Sequence, residues 1–154
     1  MANDPILNPF ITRASQGRIV RAFGEEAEFL LEGTHTGGKF CSFIETTHPG
    51  GGPPPHYHER EDEWFLILEG VVSFFVDGKW TDAGPGDTVF APRNGVHAFR
   101  NQTDKPTRML IHTAPAGFEH FFDEAATEFA KPGGPDMAAA IAIAGKHGIR
   151  FVEA

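Results

Sequence analysis

The stretch GGGPPPHYHEREDEWFLILEG, Gly50 to Gly70, decides how the rest of the chain is read. Its first six residues are glycine or proline. Such a run suits neither a helix nor a central strand, because proline lacks the amide donor and glycine is conformationally loose. Pro53, Pro54 and Pro55 restrict the segment that delivers His56, so less entropy is lost when that residue is fixed. In an extended chain, residues two apart project from one face, which brings the imidazoles of His56 and His58 together with their Cα atoms roughly 7 Å apart. Glu63 has the opposite parity to His58, so a bend within Glu59–Asp62 is required to swing it back before the apolar run begins. A fourth donor must come from elsewhere. His97, after a proline turn at the start of another strand and on the same face as Phe99, is the best candidate. Three neutral imidazoles and one carboxylate suit one divalent transition metal per chain and leave coordination positions open. Iron, nickel, manganese, cobalt, copper and zinc all accept this donor set, so the spacing does not choose among them.

Working outward, the chain from about Arg18 to Ala114 reads as short β-branched and aromatic runs separated by turn residues: IVRAF, EFLLEG, KFCSFIET, EWFLILEG, VVSFFV, KWTDA, DTVFA, VHAFRN and RMLIHTA. Asp77-Gly78, between VVSFFV and KWTDA, is the strongest hairpin signal, since this dipeptide tolerates the positive φ of a tight turn. So many short strands at this spacing predict an all-β sandwich or barrel. From Gly117 the character changes. Phe118, Phe121, Phe122 and Phe129 fall on one helical face, and Asp136 is placed to cap a second helix running to Lys146, ended by Gly148. A barrel over about 18–114 with a helical tail over about 117–154, together one domain, is the expected organisation.

Composition narrows the function classes. At 154 residues the chain can bury roughly 70% of its unfolded surface, so it needs no staples. Its single cysteine, Cys41, excludes an intrachain disulfide and a cysteine zinc site, and fits a reducing compartment. Asp4, Pro5 and Pro9 interrupt the region where a signal peptide would be apolar, and no run of eighteen apolar residues occurs, so a soluble cytoplasmic protein is expected. Thirteen basic against twenty-one acidic side chains give a net charge of −8, which repels phosphate backbones and anionic lipid surfaces. Neither nucleic acid nor membrane is an expected partner; a small molecule is.

The spacing of these residues resembles the cupin family. The first cupin motif, G(X)5HXH(X)3,4E(X)6G, is matched by Gly50, His56, His58, Glu63 and Gly70, and the second, G(X)5PXG(X)2H(X)3N, by Gly86, Pro92, His97 and Asn101. One position departs: Asn94 stands where the second motif has its inner glycine. Asparagine tolerates left-handed backbone better than other non-glycine residues, so the turn is expected to survive. The resemblance implies a jelly-roll barrel, also called a double-stranded β-helix, with His56, His58, Glu63 and His97 as metal ligands inside it. The tail is similar to that of small bacterial cupins compared with quercetin dioxygenases, and the family suggests a homodimer.

Around this centre, Phe65, Phe99 and His112 are candidates to line the cavity, His112 because it shares a strand face with Leu110. Core packing explains the phenylalanines equally well. Glu59, Glu61 and Asp62 read as a solvated turn. The resemblance implies, foremost, a metal-dependent dioxygenase for a small phenolic, enolic or keto-acid substrate, with Glu63 as both ligand and catalytic base. A sugar or sugar-phosphate isomerase or epimerase, for which Lys39, Arg60, Arg93 and Arg108 are the available cations, and a non-catalytic metal-dependent binder or sensor stay open beside it.

Overall fold

Period-two alternation builds the principal strands, and a computed structural model describing residues 7–153 shows where their inner faces meet. The strands are β1 (Arg18–Ala22), β2 (Glu25–Leu31), β3 (Cys41–Thr47), β4 (His56–His58), β5 (Asp62–Glu69), β6 (Val72–Val76), β7 (Lys79–Ala83), β8 (Thr88–Ala91), β9 (Ala98–Arg100), β10 (Thr107–Ala114) and β11 (Ile149–Phe151). A four-residue helix, α1 (Gly33–Thr36), precedes β3, and α2 (Phe118–Phe129) and α3 (Met137–Lys146) precede β11.

One wall is a six-stranded antiparallel sheet in the order β1-β2-β3-β10-β5-β8. The facing wall joins β7-β6-β9 to β4-β11 through a two-way backbone bridge, His56 N–H to His97 O at 3.0 Å and His97 N–H to His56 O at 2.9 Å. The two walls pack through aromatic edges: Phe65 of the first meets Phe74 and Phe99 of the second at centroid distances of 5.1 and 6.0 Å. Phe43, Ile67, Met109 and Ile111 complete a core in which each is essentially fully buried. This is the expected all-β jelly-roll architecture.

The turn chemistry behaves as its residues require. Asp77 and Gly78 both take positive φ, 51° and 75°, closing the β6–β7 hairpin. Asn94 adopts φ 65°, so the departure from glycine leaves the left-handed turn intact. Asn101 is fully buried and saturated: its amide donates to Thr47 O and Lys105 O, and its Oδ1 accepts from the backbone N–H and hydroxyl of Thr103.

The tail differs from the expectation of a purely helical segment. Asp136 does cap α3, accepting from Ala138 N–H at 2.9 Å, and α2 does turn Phe118, Phe121 and Phe122 into the core. After α3, however, Ile149–Phe151 return as strand β11 and pair with β4, placing Phe151 opposite His56. Three residues are too few for a period to show in sequence. Their strand geometry comes from the exposed edge of β4, continued by Val152 N–H donating to Pro55 O. No helix among the described residues is long and apolar enough to cross a membrane.

Candidate metal centre

β4 and the residue before β9 bring the three histidines together because the backbone of His56 pairs directly with that of His97. Gly52 permits this approach. At φ 126° its hydrogen faces Phe99 O, where a Cβ would lie at 2.1 Å. The Glu59–Glu61 bend, with Glu59 and Arg60 exposed, then carries the chain from β4 to β5 of the six-stranded sheet. Glu63 therefore faces the histidines rather than standing beside them, which resolves the parity mismatch in the sequence. One donor atom from each of His56, His58, Glu63 and His97 lies within 4.8 Å of the other three, and all four residues are buried.

Two backbone carbonyls orient the imidazoles. His56 Nδ1 lies 2.9 Å from Pro54 O and His97 Nδ1 lies 2.9 Å from Gly95 O, so each ring donates Nδ1–H outward and directs Nε2 inward. The proline run thus restrains the approach and also supplies the carbonyl that fixes a ring. Glu63 Oε2 is 3.0 Å from His97 Nε2 and 3.3 Å from His58 Nε2. His58 Nε2 nonetheless has no hydrogen-bond partner, although the residue is only 2% exposed. A buried nitrogen left without a partner, converging with two inward Nε2 atoms and a carboxylate, fits a divalent transition metal.

The electrostatics differ among the four residues. Burial, reinforced by the neighbouring rings of His97 and His58, lowers His56 to about 3, leaving it neutral at physiological pH. Burial alone would raise Glu63, but the facing imidazoles of His58, His97 and His56 outweigh it and hold the carboxyl at about 2. For His97, the hydrogen bond and charge of Glu63 overcome the effect of burial and raise the ring above its ordinary value.

The centre opens into a cavity of about 280 Å³ whose walls are mainly aromatic, including Phe99, Phe118, Phe121 and Phe151. Two candidate lining residues lie elsewhere. Phe65 is fully buried behind the centre, its ring 6.0 Å from that of His97 and packed on Phe74 and Phe99. His112 is on the outer face of β10, half-buried, bonded to Ser42 and stacked on Phe40. The inner face of β10 carries Met109, Ile111 and Thr113, and Leu110 shares the outer face with His112. An apolar neighbour therefore does not mark the inner face of this strand.

The acidic turn also needs correction. Glu59 is exposed and paired with Arg150, and Asp62 is paired with Arg93, as a solvated turn requires. Glu61 is only 5% exposed; its Oε2 lacks a hydrogen-bond partner and faces His58 Nδ1 at 3.6 Å. It is the carboxylate nearest to the outer nitrogen of His58. Two further buried carboxyls absent from the sequence candidates, Glu25 and Glu45, line the cavity. Glu45 was detectable in principle, because it alternates with Cys41, Phe43 and Thr47 on one strand face; Glu25, within the acidic EEAE, carried no such signal.

Comparison with known proteins agrees with this geometry. The family described as "Cupin domain" matches residues 43–113. Quercetin 2,3-dioxygenase of Bacillus subtilis (strain 168) is 28% identical over 114 residues, covering 74% of this chain and 34% of that enzyme, so the chain spans about a third of its relative. A protein of Thermotoga maritima described as a predicted oxalate decarboxylase superposes with a TM-score of 0.65 at 23% identity, covering 69% of this chain and 99% of that one. A structure from Silicibacter pomeroyi, described as a sugar phosphate isomerase from a cupin superfamily, gives a TM-score of 0.53 at 27% identity, covering 59% of each chain.

Proposed function

This chain belongs to the cupin superfamily, and from that premise we propose that it is a metal-dependent dioxygenase acting on a small phenolic, enolic or keto-acid substrate. The observation that carries the reading is the convergence of His56, His58, Glu63 and His97, with His58 Nε2 left without a partner, at the wall of an aromatic cavity. The 28% identity to a quercetin 2,3-dioxygenase supports the same class. A divalent transition metal held by these four residues would supply Lewis acidity toward a substrate hydroxyl and redox chemistry toward dioxygen.

The chain's own residues account for the rest. Pro54 O and Gly95 O keep the Nε2 atoms of His56 and His97 turned inward. Glu63, which the facing imidazoles hold below the ordinary carboxylate range, stands beside the centre as the base toward a hydroxyl of the bound substrate. The aromatic walls exclude water from the electron-rich anion that results.

The sugar-phosphate isomerase reading draws on the Silicibacter pomeroyi likeness. It requires a cation to hold phosphate, whereas no lysine or arginine is among the described residues that line the cavity. A cytoplasmic homodimer belongs to the same proposal, the free, buried Cys41 supporting the reducing compartment. Dioxygen uptake measured against a panel of phenols, enols and keto acids tests the function. Metal-dependent uptake with at least one member is expected; metal-loaded protein that binds panel members without consuming dioxygen would identify a binder instead.

A further inference from the structure

Two carboxyls buried in an aromatic cavity call for an explanation beyond packing. Glu25 and Glu45 come from adjacent strands of the six-stranded sheet, Glu25 opposite Thr47 and Glu45 opposite Ala27, so the two glutamates are diagonal neighbours on the inner face. They are 7% and 3% exposed, and both line the cavity that also receives His56, His58 and Glu63. Thr47 Oγ1 donates to Glu45 Oε1 at 3.0 Å. The carboxyls of Glu25 and Glu45 also lie within hydrogen-bonding reach of one another, and Glu25 Oε1 has no partner outside that pair. Two carboxyls sharing a contact in an otherwise aromatic cavity still have lone pairs and a proton to offer an oxygen that enters it.

We propose that Glu25 and Glu45 form a second ligand subsite in the cavity, a hydrogen-bonding pair that holds an uncharged hydroxyl or carbonyl oxygen of the molecule whose other oxygen meets the four-residue centre. The inference rests on the reading of this cavity as a small-molecule site and adds a specificity to it. Burial first, then the negative charges of Glu45 and Glu63, raise Glu25 well above the carboxylate range. Burial likewise takes Glu45 to about 8, with Glu63 adding to the rise. Shifts in this direction favour the protonated form of the pair, which can donate as well as accept. Its ionisable cavity neighbours are Glu63, His56 and His58; on the outer side of Glu25, a shallow groove holds His48 and the ion pair of Arg21 with Glu26. An anionic group on the ligand would meet carboxyls, and no lysine or arginine among the described residues that line the cavity, at this end. The subsite thus selects two-oxygen phenols, enols or carbonyl compounds over carboxylates and phosphates of similar size.

Equilibrium binding of phenol, resorcinol and hydroquinone to metal-loaded protein tests this, because the two diols place a second uncharged oxygen at two distances from the first, both too far apart to chelate one ion. At least one diol is expected to bind about tenfold more tightly than phenol, the contribution of roughly one good hydrogen bond. Glu25→Leu and Glu45→Leu should abolish the diol preference while phenol affinity stays within about twofold; Glu25→Gln, which retains hydrogen-bonding atoms, should keep part of it. Should the leucine variants fail to fold, infrared difference spectra of the wild type decide. The carbonyl band of the neutral carboxyls, assigned by its loss in the glutamine variants, should shift when the preferred diol binds. A diol preference that persists in the leucine variants, no diol binding better than phenol, or an unmoved carboxyl band would overturn the subsite alone. Failure of phenol and every diol to bind the wild type would overturn both the subsite and the small-phenol reading beneath it.

Discussion

Glu63 carries the clearest residue-level consequence. Replacing it with glutamine keeps the shape and one donor oxygen but removes the negative charge and the ability to take a proton. Glu63→Gln should lower kcat by about 10²–10⁴ while leaving the substrate dissociation constant within a few-fold; equal losses in both would show that it only holds the centre together. Glu45 gives a prediction about stability with a definite sign. Its folded-state value of about 8 lies above the ordinary 4.5, so between those limits the folded chain retains a proton that the unfolded chain has released. This carboxyl's destabilising effect is therefore absent below about 4.5, grows across the window by at most about 1.4 kcal/mol per pH unit, and levels off above about 8. Glu45→Gln, measured by urea unfolding of metal-free protein, should be progressively more stable than the wild type as pH rises through that window. A constant difference between the two proteins would mean that Glu45 is ionised on both sides of the folding transition.

At the scale of elements, the centre depends on how closely the loop before β4 lies along β9. Gly52→Ala would place a methyl carbon 2.1 Å from Phe99 O in a backbone conformation that side chains rarely adopt. The loop must then lift, and the register that sets His56 against His97 moves with it. A loss of about 3 kcal/mol in unfolding free energy, accompanied by weaker metal binding, is expected; unchanged metal affinity in a destabilised variant would separate the loop from the site. The elements also show what the chain made legible. His56, His58 and Glu63 were readable because a metal imposes spacing on residues close in sequence, His97 from its place after a proline turn at the start of another strand, and the Asp77-Gly78 and Asn94 turns because positive φ restricts residue choice. β11 was not readable, since three residues carry no period and pair only because β4 leaves an edge. His112 was misplaced because β10 is apolar on both faces, Leu110 outside and Ile111 inside, so alternation alone could not orient it.

For the whole molecule, the barrel follows from short alternating strands, and the four-residue centre follows from two walls that present different donors to one interior: histidines from β4 and from the segment leading into β9, and a carboxylate from β5. The buried carboxyls Glu25, Glu45 and Glu61 were the least legible part of the site. Acidic residues ordinarily face water, and only the closure of the barrel and the Glu59–Glu61 bend puts these three inside. The central claim is that this interior holds a metal. Elemental analysis of the purified protein, beside a His56→Ala/His58→Ala variant shown to be folded, tests it most directly. About one equivalent of a divalent transition metal per wild-type chain is expected, and essentially none in the variant. A wild-type chain that remains metal-free after reconstitution with iron, nickel, manganese, cobalt, copper and zinc would contradict it.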